Sequence, residues 1–326
     1  MLSRTIGTSE SSRTVSALCL GAMNFGTSTP TDTAIAILDR FVEAGGTFID
    51  TSNNYNQWHG HGGDSEELLG RWMQSRGNRD ELFIATKCGA RTTVPGDPDD
   101  AHWEGLGASV VAEAVKGSLS RLGVDQIDLY YAHIDDRTTP LDETVAAFGQ
   151  LSADGVVDLV GCSNTATWRL DRARQTAAAQ GVAQYSVIQQ HSSYLWPNPP
   201  SLQGVRRHGT PHFQHAGVEH FDYLSEHPDV TLVAYQALLT GSYTRPDRPF
   251  SAQRGYAHPT AYVRYEALRQ IAHDLGVTPN QVVLAWLLHH NVIPLIGASS
   301  LEQLEEALAA VAIQLDANLM DQLDNA

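Results

Sequence analysis

The chain has 326 residues, 42% hydrophobic and 18% charged, with a formal net charge of −16. That is ordinary globular composition with a large core, and the acidic balance leaves no footprint for nucleic acid or an anionic membrane surface. No window approaches the roughly 18 apolar residues of a membrane span. The amino terminus, MLSRTIGTSE, lacks the apolar core of a signal peptide. Cys19, Cys88 and Cys162 lie far apart, which fits free thiols in a reducing compartment and predicts a soluble, cytoplasmic protein.

Short apolar runs rich in β-formers recur at 17–23, 47–52, 82–89, 127–134, 156–164, 185–190, 230–236 and 292–299. Runs apolar on both faces suit a buried parallel sheet. Helical patterns lie between them. One covers 34–45 with Ile35, Leu38 and Val42 on one face, and another covers 64–77 with an acidic start that favours the positive end of a helix. Thr139-Pro140-Leu141-Asp142 predicts a capping box with Pro at the first helical position; Thr278-Pro279-Asn280-Gln281 repeats that grammar and Ser300-Leu301-Glu302-Gln303 is similar. Gly45, Gly77, Gly123, Gly155, Gly181 and Gly276 mark helix ends.

Eight strand candidates, each followed by at least one helix, predict an α/β (β/α)8 TIM barrel over residues 1–326 as one domain, its eight-stranded sheet all parallel. A doubly wound open sheet is the competitor. It would place a Gly-rich dinucleotide fingerprint after the first strand, but 21–26 (GAMNFG) lacks the middle Gly. The long connections 90–107, 191–229 and 237–291 then roof the carboxyl face of the barrel, where active sites lie.

The stretch FIDTSNNYNQ (48–57) ends the second strand in Asp50 and carries Tyr55 into the loop. Alone it reads as ordinary turn chemistry. The third strand, however, ends in Lys87 and the fourth in His133, so consecutive strands aim an acid, an amine and an imidazole at one mouth. Burying an unpaired ammonium is costly, and Asp50 is the natural partner for Lys87. The pair would set a positive charge beside Tyr55 and lower the phenol's pKa from about 10. Tyr55 could then protonate a carbonyl oxygen as hydride arrives at carbon, with His133 orienting that oxygen or relaying the proton.

At this point FIDTSNNYNQ, LFIATKCG, IDLYYAHIDDRTTPLDETVAAF, VGCSN and PLIGASSLEQLEEAL, in that order and spacing, resemble the aldo-keto reductase superfamily, its long-loop bacterial branch in particular. The resemblance implies a barrel that binds NADPH in extended form and reduces a small-molecule aldehyde or ketone. The family's Asp, Tyr, Lys and His fall on Asp50, Tyr55, Lys87 and His133. It implies cofactor contacts at Gly21, Met23 and Asp50. Ser163 and Asn164 correspond to the carboxamide pair, and Gln189 to the sixth-strand Gln, with Gln190 as the alternative register. The ring-stacking Tyr expected three residues after that Gln is replaced by Ser192, with His191 and Tyr194 beside it. Tyr235, Gln236, Ala237, Leu238 and Gly241 resemble the pyrophosphate loop, and Gly297, Ser299, Gln303, Glu306 and Ala307 the adenosine-phosphate site.

No Arg or Lys occurs within 297–307 to hold the 2′-phosphate that separates NADPH from NADH. The helix start near Ser300 and Arg245, Arg248 or Arg254 are the remaining candidates. NADPH is the expected cofactor, with NADH as the alternative. Trp58, Trp103 and Trp196 are expected to line the mouth. His59-Gly60-His61 invites a metal-hydrolase reading, but no later carboxylate cluster completes a ligand set, so no metal site is expected. A nicotinamide-binding redox sensor without turnover is the remaining rival.

Overall fold

The computed structural model describes residues 1–8, 11–59, 62–94, 102–198, 206–207, 210–211, 215–253 and 255–326. It opens with a feature not legible as an apolar run. Strands β1 (Ser3–Gly7) and β2 (Ser12–Ser16) form an antiparallel hairpin, pairing Ser3 with Ser16 and Gly7 with Ser12. SRTIG and SRTVS are polar apart from Ile6 and Val15. Those two side chains are buried against Cys19, Phe48 and Phe83, the first residues of barrel strands, so the hairpin plugs the amino end of the barrel.

The strands that follow are β3 (Cys19–Gly21), β4 (Phe48–Asp50), β5 (Phe83–Cys88), β6 (Ile127–Ala132), β7 (Val157–Ser163) and β8 (Val187–His191). A short antiparallel pair, β9 (Arg206–Arg207) and β10 (Thr210–Pro211), stands apart in the long connection, and β11 (Thr231–Tyr235) and β12 (Ile293–Gly297) complete the set. The closed barrel runs β11-β12-β3-β4-β5-β6-β7-β8, every neighbouring pair parallel, with β8 joining β11. All eight expected strands are found, within a few residues of their expected ends.

Helices α1 (Thr31–Glu43), α2 (Asp64–Arg76), α3 (Ala108–Leu122), α4 (Leu141–Ala153), α5 (Thr167–Gln180) and α6 (Val218–Glu226) each follow a barrel strand. Two more, α7 (Pro259–Leu275) and α8 (Pro279–His289), lie between β11 and β12. Helices α9 (Leu301–Ala309) and α10 (Ala317–Asp324) close the chain. No described helix is long and apolar enough to cross a membrane. The expected Gly stops all carry positive φ, the conformation that lets a helix end without a Cβ clash.

The caps divide. Thr278 accepts from the Gln281 backbone and Gln281 reciprocates, as expected, and Ser300 accepts from Gln303. The expected box at Thr139 is not formed. Pro140 occupies the cap position, and the Thr139 hydroxyl donates instead to Asp136 at 2.6 Å. A charged acceptor three residues earlier makes the stronger bond and outcompetes the first turn of the helix.

Strand alternation sorts the side chains. Cys19, Phe48, Phe83, Ala85, Leu129, Leu159, Val187, Val233 and Ile293 fill the interior. Their alternates, such as Leu20, Ile49, Ile84, Tyr130 and Val160, pack under the helices. Tyr131 crosses the lumen, and Gly161 makes room for it: a Cβ there would stand 2.8 Å from the Tyr131 ring and 2.7 Å from a Val187 backbone oxygen. Farther up, the same parity points Asp50, Lys87, Ser163 and Gln189 inward. The lumen is therefore apolar at its base and polar at its carboxyl end.

Candidate active site at the carboxyl end of the barrel

Lys87 and Asp50 are both fully buried, with Nζ 2.5 Å from Oδ1. Lys87 also donates to the Thr51 carbonyl at 2.7 Å and to the Tyr55 hydroxyl oxygen at 2.9 Å. The second Asp50 oxygen accepts from Gln189 Nε2 at 2.8 Å, so Asp50 is tied across the barrel as well as to its neighbour. Tyr55 Oη lies 3.4 Å from Asp50 Oδ1, and the Tyr55 and His133 rings meet edge to face at 6.0 Å. The four residues singled out by strand ends thus stand together.

Their acid–base properties depart from one expectation. Burial, followed by the charge of Asp50, pushes the Tyr55 phenol well above its ordinary value rather than below it. Burial also pushes the Lys87 ammonium down, with Asp50 opposing. His133 is held well below its ordinary value by burial first and by Lys87 second, so its imidazole is neutral at pH 7. The hydrogen-bond geometry gives Lys87 a different use. It occupies a lone pair on the Tyr55 oxygen, while the O–H hydrogen is directed at Asp50 Oδ1 at 3.4 Å, a long bond that a closer acceptor in the mouth would displace.

Around this group sit the expected cofactor residues. Gly21 ends β3, level with Asp50 on one side and Gly297 on the other, and Met23 is exposed on the rim. Asn164 has left-handed backbone (φ 55°), and its amide donates to the His133 carbonyl and to Ser163 Oγ. Asn164 Oδ1 accepts from the Tyr235 hydroxyl at 2.7 Å. Among the described residues Ser163 Oγ accepts from Asn164 and has no acceptor for its own hydrogen. In β8 it is Gln189, not Gln190, whose side chain enters the lumen.

Tyr235, expected within the pyrophosphate loop, turns its ring toward Asn164 and His191 at this mouth. Its ring stacks on His191 at 5.5 Å, and its phenol is pushed up by burial and then by the nearby Tyr55. Tyr194, the alternative, lies outside the barrel: its hydroxyl donates to the Leu323 carbonyl and its ring packs on Trp286 under Arg264. Ser192 is buried and carries no ring to stack. The signal for Tyr235 was present in the parity of TLVAY, which turns its last residue inward.

The turn after β11 is strained. Gln236, Leu239 and Thr240 have φ of 57°, 48° and 56°, and Gly241 has 85°. Non-glycine residues rarely hold this region unless surroundings impose it, and such strain collects at ligand clamps. Ala237 is buried and its carbonyl accepts from Ser193, while Leu238 packs on the core.

At the end of β12, Gly297 and Ser299 are exposed, and Gln303 Oε1 accepts from Ser299 at 2.8 Å. Glu306 is engaged by Thr278 at 2.6 Å and by Asn280, so it braces α8. Ala307 is buried in the core. Arg245 is paired with Asp247 at 2.5 Å; Arg254 lies outside the described residues.

The tryptophans diverge. Trp58 is 51% exposed on the rim and Trp103 is half-buried. Trp196 packs on His215 and faces an outer cavity of about 430 Å³ walled by Phe221, Arg264, Trp286 and His290, so it does not line the mouth beside Tyr55. His59 meets the Ser28 hydroxyl, and Gly60 and His61 lie outside the described residues. All three cysteines are buried and free. Sequence reasoning missed Glu104, which leaves the 90–107 connection to accept from Asn53 and from the Gly89 backbone, pinning that loop over the strand ends.

Comparison with known proteins agrees with the architecture. A family model described as "Aldo/keto reductase family" matches residues 17–326. The chain is 33% identical over 318 residues to "Uncharacterized oxidoreductase YrpG" of Bacillus subtilis, covering 95% of this chain and 92% of the relative. It is 32% identical over 315 residues to "Norsolorinic acid reductase stcV" of Emericella nidulans, covering 92% and 75%. It is 26% identical over 325 residues to "Aryl-alcohol dehydrogenase GME11368" of Pestalotiopsis microspora, covering 95% and 78%.

Proposed function

The chain belongs to the aldo/keto reductase family and is a nicotinamide-dependent oxidoreductase, and from that premise we propose that it reduces an aldehyde or ketone with NADPH, Tyr55 donating the proton. The observation that carries this reading is the Asp50–Lys87–Tyr55 contact set with His133 at the same mouth. Residues 1–326 act as one catalytic domain.

The residues fit the cofactor. Ser163 has a hydrogen to donate to a carboxamide, Gln189 and Asn164 flank it, and Tyr235 offers a ring face. Gly21 and Met23 border the same mouth. The strained turn through Gln236, Ala237, Leu238 and Gly241 presents backbone to a pyrophosphate. Gly297, Ser299 and Gln303 stand open for the adenosine end, with Glu306 and Ala307 shaping α9 behind them. When bound, the nicotinamide supplies the hydride.

The protein's part is positioning and proton delivery. The Tyr55 O–H bond breaks as a new O–H bond forms on the substrate oxygen, and hydride adds to carbon. Lys87 steadies the phenolate left behind until water returns a proton. Asp50 fixes Lys87, and Gln189 fixes Asp50.

The test is steady-state oxidation of NADPH and of NADH against a panel of aldehydes and ketones. Turnover with NADPH, faster than with NADH, is expected. Binding of NADPH without turnover on any member would replace the reductase with a nicotinamide-sensing barrel.

A further inference from the structure

Tyr55 follows β4 in a run of turns, where chains are ordinarily mobile, yet a proton donor must be held to within about 0.5 Å. Carboxamides flank it in NNYNQ, at Asn53, Asn54, Asn56 and Gln57. In a loop such side chains are mostly exposed. Here Asn53, Asn54 and Asn56 are buried, and each carboxamide reaches a neighbouring loop. Asn56, in left-handed backbone (φ 71°), donates to the Phe25 carbonyl at 3.2 Å and accepts from Thr27 at 2.6 Å. The other three turn to the connection that follows β5. Asn54 donates to the Ala90 carbonyl at 3.1 Å, and Gln57 accepts from the Thr92 backbone at 2.9 Å. Asn53 donates to Glu104 Oε1 at 2.8 Å. The turn is thus gripped from both sides, by the loops after β3 and β5, the strands that flank β4.

Glu104 is the charged partner in this grip, so its bond is the strongest of the set. The same oxygen, Oε1, also accepts from the Gly89 backbone at 2.7 Å. Gly89 lies just past Lys87 and Asn53 just before Tyr55, so one carboxylate oxygen joins the two chain segments that carry the ammonium and the phenol. Glu104 is itself fixed. Its N–H donates to the Arg91 carbonyl at 2.8 Å, and the next residue, Gly105, donates to the Gly89 carbonyl at 3.1 Å. We propose that Glu104 is a positioning residue for proton transfer. Through Asn53 and Gly89 it sets the spacing of the Tyr55 hydroxyl and Lys87, and it bonds to neither side chain itself. This inference rests on the reading of Tyr55 as proton donor.

The experiment is a mutant cycle on the full chain. It reads the single-turnover rate of NADPH oxidation, which excludes product release, with the fastest carbonyl of an aldehyde and ketone panel. Glu104→Ala should slow that rate about tenfold, with NADPH affinity by fluorescence held within about twofold. Glu104→Gln keeps an acceptor for both donors and should recover most of the rate. In a Tyr55→Phe background, adding Glu104→Ala should slow the residual rate by less than about twofold, because the oxygen it positions is gone. A general loosening of the fold would slow both backgrounds alike. An unchanged rate in Glu104→Ala, an equal loss in both backgrounds, or a loss of NADPH affinity that accounts for the rate overturns the inference. If Glu104→Ala does not fold, Asn53→Ala breaks the same contact from the other side and must show the same dependence on Tyr55. Full activity in Tyr55→Phe, or no turnover by the unaltered protein, sinks the proposed mechanism and this role with it. A slow Tyr55→Phe beside an unaffected Glu104→Ala sinks the role of Glu104 alone.

Discussion

Lys87 Nζ sits 2.5 Å from Asp50 Oδ1 with both side chains wholly shielded from solvent. Two opposite charges in a barrel lumen are held by each other and by the Thr51 carbonyl, the Tyr55 oxygen and Gln189. Removing either partner strands a charge in a poorly hydrated site, which typically costs about 3–5 kcal/mol. Lys87→Met and Asp50→Asn should each lower unfolding free energy by about that amount, and the double variant should lose clearly less than the sum. Urea denaturation of the four proteins measures this. Additive losses would mean the pair is not coupled.

Tyr55→Phe removes a single oxygen, the one that delivers the proton in the proposed reduction. Loss of a positioned proton donor should cost about 10²–10⁴ in kcat. NADPH affinity by fluorescence should stay within about threefold, since the proposed role of Tyr55 is proton delivery and not cofactor binding. Full activity in this variant would remove Tyr55 from the mechanism.

The proposed reduction requires protonated forms of both Tyr55 and Lys87. Burial pushes Tyr55 up and Lys87 down, so as pH rises Lys87 loses its proton first. The rate of reduction should therefore fall on the alkaline side through a single proton loss, below the range of an exposed lysine. The residual rate of Lys87→Met, followed at high enzyme concentration, should lack that limb. A limb that persists unchanged would place it elsewhere.

His191 and His215 face one another at 5.3 Å beside the mouth. Burial brings His191 down to about 4 and His215 to about 3, from an ordinary 6.5. Because the fold keeps these rings neutral, the unfolded chain binds more protons as pH drops below 6.5. Stability is then full above that value and is lost progressively down to about 4 for His191 and about 3 for His215. His191 alone should account for roughly 3 kcal/mol. Unfolding free energies at neutral pH and near pH 4.5 should differ less in His215→Phe than in the unaltered protein; equal losses would remove His215 from the account.

Much of this site was legible in the chain. Apolar runs interrupted by Gly-terminated helices marked all eight barrel strands, and strand ends singled out Asp50, Lys87 and His133. Tyr235 could have been read the same way, from the parity of TLVAY. The amino-terminal hairpin could not, because each of its strands buries a single large apolar residue, Ile6 or Val15, and so shows no periodic stripe.

Periodicity is a property of neighbours along the chain, and it determined the element order and which face each side chain takes. Barrel closure decided the rest. It brought Gln189 to Asp50 across 139 residues and set Asn54 against the Ala90 carbonyl. It also reversed the expected shift of Tyr55, since a phenol's acidity depends on how deeply it is buried and on which charge stands nearest. Those partners lie far apart in sequence and meet only once the strands have closed.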